Sequence, residues 1–181
     1  MRRALAQAAP RALRALELPA LLAVPAVMVA TAAAGLDVTA GLTLAVTVLA
    51  VGLLFASFEA LRPPLRQLMP TAVLAATAAA GRVLFAPIPD VKPVSAIAIV
   101  AGAALGRRSG FVVGAVAALV SNFFFGQGSW TPWQMYAWGL VGYLGGVLSD
   151  HGALERAWAL YAWGFVGALM YGAILNGYYV L

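Results

Sequence analysis

The sequence contains no cysteine, one histidine and only six acidic residues in 181. Without cysteine there can be no disulfide and no thiolate metal site. With so few histidines and acids, neither a multi-ligand metal centre nor a Ser-His-Asp arrangement is expected, and no cofactor is expected. Charge is scarce altogether: 9% of residues are charged and 64% are hydrophobic, with a mean hydropathy of +0.93. A soluble domain runs at roughly 45–50% apolar and about 25% charged, so this chain could not hide its apolar surface from water. Lipid is the expected solvent for the whole length. The apolar segments lack the apolar/polar alternation of barrel strands, which leaves helices as the means of satisfying the backbone in lipid. The phosphate-binding pattern G-x-x-x-x-G-K-[ST] is missing, so the chain is not expected to hydrolyse ATP itself. Glu59, Asp90, Asp150 and Glu155 fall at segment ends, which argues against a proton-coupled carrier, and no inverted repeat is visible.

What is present is a series of seven apolar segments: about Leu18–Gly35, Val38–Phe58, Met69–Ala86, Val94–Gly106, Phe111–Phe125, Trp133–Ser149 and Ala157–Tyr179. The fold class is therefore an all-α polytopic membrane bundle. The fourth and fifth segments are short against the ~20 residues of an ordinary span; little tilt, extension by their flanks and a re-entrant course all remain open. The basic, apolar start has the look of a signal peptide, but another span follows it at once, and it is read as a retained helix. Residues 1–66 form a basic N-terminus with two helices, and residues 67–181 the remaining core.

Lys and Arg set the orientation. Arg2, Arg3, Arg11 and Arg14 precede the first segment, and Arg62, Arg66, Arg107, Arg108 and Arg156 fall on the same side by alternation. The other side holds Lys92 as its only basic loop residue, with Asp37 and Asp90. This places the N-terminus in the cytoplasm and the uncharged stretch SNFFFGQGSWTPWQ, residues 121–134, outside. Polar and aromatic residues gather at that outer level: Asn122, Phe125, Gln127, Trp130, Trp133 and Gln134, with Asn176 late in the last segment. Arg82 lies near the outer end of the third segment, where an arginine is costly and signals a function. An interfacial aromatic belt accounts for Trp and Tyr rings but not for the amides. Rings as flat walls, with amides and Arg82 as directional contacts, suggest an outward-facing pocket. The loop APIPDVKP, with Pro87, Pro89 and Pro93, reads as a stiff extended crossing over it.

Small residues mark packing faces. Ala72, Ala76 and Ala80 share one face of the third segment, a plausible docking surface. Gly102, Gly106, Gly110 and Gly114, and the glycines of GLVGYLGG, read as internal helix contacts.

The run from GRVLFAPIPDVKP through GRRSGF to GQGSWTPWQ and GLVGYLGG resembles the substrate-binding S component of energy-coupling factor (ECF) vitamin transporters. The likeness is good over Thr71–Gly146 and looser over the last segment. It implies capture of a vitamin near the outer face of a prokaryotic cell membrane. The implied partners are a transmembrane coupling subunit and two cytoplasmic ATPases, met through Ala72, Ala76 and Ala80. The loop with Pro87, Pro89 and Pro93 would gate the site, and toppling of the subunit would carry the ligand inward. The family core has six spans, whereas five follow the first two here, so a last helix is missing or the alignment is shifted. Ligand residues are not shared across the family's substrates, and the identity of the vitamin does not carry over; a cobalamin-like ligand suits the glutamine- and tryptophan-rich stretch. Two other classes stand beside this one. A membrane enzyme acting on lipids or isoprenoids would use Arg82 and Asp90 on a phosphate, and a non-catalytic assembly protein would need its aromatics only as a belt.

Overall fold

The computed structural model describes residues 2–34, 39–88 and 91–180, with side chains described from Ala12 onward apart from Thr39 and Val180. Among the described residues every regular element is a helix: α1 (Arg2–Ala34), α2 (Thr39–Ala60), α3 (Leu65–Leu84), α4 (Val94–Leu105), α5 (Arg107–Phe125), α6 (Trp130–Asp150) and α7 (Ala157–Val180). Four stretches are long and apolar enough to cross a membrane: Ala12–Ala34, Ala40–Ala60, Arg107–Phe125 and Ala157–Tyr179. Their outward side chains are apolar as well, with Leu49, Phe165 and Leu169 all more than half exposed. That is the pattern of a surface dissolved in lipid, not water.

The two short segments have different outcomes. α5 gains a turn at its start from Arg107 to Gly110 and reaches 19 residues, whereas α4 stays at 12, about 18 Å at 1.5 Å per residue. Gly106 joins them with no loop at all, at φ +94°, a left-handed conformation that a side chain would oppose. It therefore stands apart from the other glycines of its repeat: it turns the chain, and a Cβ there would meet nothing.

The remaining glycines form a seam along which α4, α5 and α6 touch backbone to backbone. A Cβ on Gly102 would lie 2.1 Å from the Gly142 carbonyl oxygen, one on Gly142 2.3 Å from the Gly110 oxygen, and one on Gly114 2.4 Å from the Trp138 oxygen. Only small residues permit such contact in lipid, where close van der Waals packing replaces the hydrophobic drive. The seam also fixes register. Gly110 faces Gly142 and Gly114 faces Trp138, so one four-residue step up α5 matches one four-residue step back along α6. Continuing the steps brings Ala118 level with Gln134 and Asn122 level with Trp130, and two polar stretches meet at one end of the bundle.

At the opposite end α1 and α2 are tied to the bundle by a polar cluster. Glu17, outside the first span by the sequence boundaries, lies inside the long α1 and is 1% exposed. Its carboxylate accepts from the Ser57 hydroxyl and, at 2.5 Å, from Arg108 Nε. Its other oxygen accepts from the Tyr143 hydroxyl at 3.0 Å. A buried carboxylate needs both a counter-charge and donors, and Glu17 has them from α2, α5 and α6. One helical turn further on, the Tyr136 hydroxyl donates to the Leu21 carbonyl at 2.6 Å, beside an apolar cluster that includes Leu21, Leu54, Phe111 and Trp133.

Candidate ligand site

The site begins with α3. Ala75, Ala78 and Ala79 are buried and let α3 lie close against its neighbours, which carries Arg82, in the last turn, into the interior at 7% exposure. The chain before Arg82 is held by the proline loop: a Cβ on Gly81 would come 2.7 Å from Pro93 Cγ, so Pro93 packs directly on α3. The described residues of that loop turn instead of running extended, through Ile88 N–H to Phe85 and Ala86 N–H to Val83. Pro87 is exposed, and Pro89 and Asp90 lie outside the described residues.

Arg82 meets the polar stretch delivered by the glycine seam. Its Nη1 donates to Ser121 Oγ at 2.6 Å and to Asn122 Oδ1 at 2.7 Å, and Nη2 reaches Gln134 Oε1 at 3.5 Å. Asn122 Nδ2 in turn donates to Gln134 Oε1 at 2.8 Å and Thr131 Oγ1 at 3.1 Å. The Thr131 hydroxyl donates to Gln127 Oε1 at 2.9 Å, and Gln127 Nε2 donates to the Leu119 carbonyl at 3.0 Å. The local sequence explains this arrangement. Gly126, at φ +95° and ψ +139°, ends α5 in a positive-φ conformation that glycine adopts at no steric cost. Pro132 sits in the first turn of α6, where a missing N–H costs nothing. The turn between them is short enough for Thr131 to bond back to Gly128 N–H at 3.3 Å.

Aromatic rings complete the surroundings. The guanidinium carbon lies 4.8 Å from the centroids of both Phe125 and Trp138, over each ring, and Trp138 stacks on Tyr171 at 4.4 Å and 19°. A cation over a desolvated ring gains about 2 kcal/mol. Charge balance nevertheless stays incomplete. The ion pairs among the described residues are Arg107–Asp150 and Arg108–Glu17, and Arg82 belongs to neither. Its Nε is buried with no hydrogen-bond partner, and an unmet buried donor costs about 1–3 kcal/mol. The cluster consists of a guanidinium, primary amides and hydroxyls. It can hold acceptors and flat rings, and among the described residues it contains no carboxylate or imidazole.

Of the eight residues expected at a pocket, the structure brings Arg82, Asn122, Phe125 and Gln134 together, with Gln127 one bond removed through Thr131. Trp133 turns the other way: it is 1% exposed in the cluster shared with α1 and α2, and its ring lies 5.4 Å from that of Tyr178. Trp130 lies against Gly128, filling the space a side chain there would need. Asn176 is on the wall of an apolar groove of about 700 Å³ between α1, α6 and α7. Ser121, Thr131, Trp138 and Tyr171 were not among the expected site residues. Trp138 had a signal, since it follows Gln134 by one helical turn on the same face; Tyr171 had none. On α3, Ala72, Ala76 and Ala80 are all exposed, on a face beside the buried Ala75, Ala78 and Ala79.

Comparison with known proteins gives one family. Residues 64–179 match the family model described as the S component of an ECF-type riboflavin transporter. No curated protein and no solved structure matches the chain. The matched residues begin with α3, end one residue short of the end of α7 and include every side chain of the Arg82 cluster. The chain belongs to the family of ECF-type riboflavin transporter S components, the membrane-embedded substrate-binding subunits of vitamin uptake systems.

Proposed function

We propose that this subunit captures riboflavin, or a close flavin relative, at the end of the bundle that carries the Arg82 cluster. That end faces outward if the N-terminus is cytoplasmic, as the arginine distribution indicates. The observation that carries the reading is Arg82 itself: a buried cation among rings and amides, without an acidic partner among the described residues and with a donor to spare. The flavin ring system is flat and apolar across its faces, and its pyrimidine edge carries two carbonyls and an N–H. Guanidinium donors suit those carbonyls, and amides suit an edge that both donates and accepts. The matched family's description names riboflavin; a cobalamin-like ligand, suggested by composition, becomes the comparison. Inward delivery is assigned to a transmembrane coupling subunit driven by two cytoplasmic ATPases, because this chain has no phosphate-binding loop of its own. The exposed stripe of Ala72, Ala76 and Ala80 is the docking face, the proline loop with Pro87, Pro89 and Pro93 the gate, and residues 1–66 an addition ahead of a core of 67–181.

Mass spectrometry of small molecules copurified with the protein tests the ligand: a flavin is expected. A protein that carries no vitamin and binds neither riboflavin nor cobalamin below micromolar concentrations would refute the reading. The docking face is tested separately. Changing Ala72→Leu together with Ala76→Leu should abolish uptake in cells and leave the affinity of the isolated subunit within about twofold, because added side chains prevent the close helix approach that small residues allow.

A further inference from the structure

We propose that the planar ring of the vitamin takes the place now filled by the Arg82 guanidinium against Phe125 and Trp138, and that Arg82 moves to the rim of that ring to donate hydrogen bonds. The proposal rests on the vitamin-capture reading above and adds the position of the ring and the roles of three side chains. A guanidinium is planar, delocalised and stacks on aromatic faces as a ring does, so its present seat is shaped for a flat group. The seat is also limited in thickness. Phe125 and Trp138 each have their centroid 4.8 Å from the guanidinium carbon and cannot lie further apart than twice that distance. Two planar layers would need three gaps of ~3.5 Å, so a second layer does not fit.

The two walls differ in freedom. Trp138 is 1% exposed, backed by Tyr171 at 4.4 Å, and its carbonyl lies against Gly114 of α5; it is a fixed floor. Phe125 is 46% exposed and is the last residue of α5, followed by the positive-φ Gly126; it is the wall that can open. Arg82 has a reason to leave, since its Nε has no partner where it sits. The polar atoms that hold it, on Ser121, Asn122 and Gln134, then border the same seat and remain to meet the ring's edge. Trp138 and Phe125 become affinity-determining residues for the ring, and Arg82 a place-holder that converts into a ligand contact.

The test uses the whole purified subunit with riboflavin and with lumiflavin, the same ring system with a methyl group in place of its sugar-alcohol tail. Trp138→Leu and Phe125→Leu should each weaken both ligands by about 10–100-fold and by similar factors, because the loss is at the ring. Trp138→Leu should also remove most of the quenching of flavin fluorescence on binding, Trp138→Phe should restore affinity to within several-fold, and Phe125→Leu should speed release. Trp158→Leu, on the exposed start of α7, should change nothing. Circular dichroism and gel filtration identify any variant that fails to fold, and for such a position the phenylalanine or methionine replacement is read instead. If the wild type binds flavin but both leucine variants keep affinity and quenching, the ring lies elsewhere and the proposal falls while vitamin capture stands. Capture of cobalamin alone, whose axial ligands make it several layers thick, would also overturn it. Failure of the wild type to bind any vitamin would remove the reading and the proposal together.

Discussion

Arg82→Met is expected to lower flavin affinity by at least two orders of magnitude while leaving the helical fold intact. The two effects should have opposite causes. Affinity falls because the guanidinium provides charge-assisted hydrogen bonds, each worth about 1.5–3 kcal/mol, and two orders of magnitude require only about 2.8 kcal/mol at 1.4 kcal/mol per factor of ten. Stability should not fall in step. The ligand-free protein holds Arg82 at 7% exposure with an unmet donor and no acid paired to it among the described residues, so Met removes the cost of an unpaired buried charge and offsets the loss of the bonds to Ser121 and Asn122. Thermal unfolding in detergent without ligand should therefore give a midpoint close to that of the wild type, and isothermal titration with riboflavin a much weaker signal. Arg82→Lys keeps the charge but not the planar fork, so it should lose at least about tenfold in affinity. A large drop in the ligand-free midpoint together with unchanged riboflavin affinity would show that Arg82 is a structural residue and no part of the site.

Gly142→Leu should be among the most damaging single changes in the bundle. Its Cβ would come 2.3 Å from the Gly110 carbonyl oxygen and 3.0 Å from that of Ala98, so the obstacles belong to the backbones of two different helices. Overpacking commonly costs about 1–3 kcal/mol where side chains can give way; here helices must separate, and the cost should reach or exceed the top of that range. The damage would also travel. Asn122 meets Thr131 and Gln134 only because α5 and α6 are locked in one register, so riboflavin binding should be lost with the seam. Gly164→Leu is the control, since nothing lies within 4 Å of its added Cβ, and it should leave the unfolding midpoint within about 2 °C. An unchanged midpoint and affinity for Gly142→Leu would mean that α5 and α6 are not in the contact described.

The sequence made the helices and the polar end of the bundle visible for simple reasons. Apolar runs mark spans, an arginine late in a span stands out, and amides in an aromatic stretch have no use as a belt. Helix phase could have gone further. Thr131, Gln134 and Trp138 are spaced by three and four residues and share a face of α6, while Trp133 points about 100° away from Gln134, which is the separation the structure shows. α7 offered no such guide, because it is apolar all the way round and its sequence does not say whether Tyr171 or Asn176 faces the bundle. Glu17 was hidden for a different reason. Its partners Ser57, Arg108 and Tyr143 lie in three other helices, and an acid beside an apolar run looks like a flank until those helices are assembled.

That cluster also limits how the chain could be shortened or recombined. A version starting at residue 64 would keep all the residues matched to the family yet leave Arg108 without its counter-charge and Tyr143 without its acceptor. The first two helices and position 108 thus depend on one another: a graft that brings a different N-terminal pair leaves Arg108 unpaired unless it brings its own carboxylate at the level of Glu17 or Arg108 is replaced at the same time.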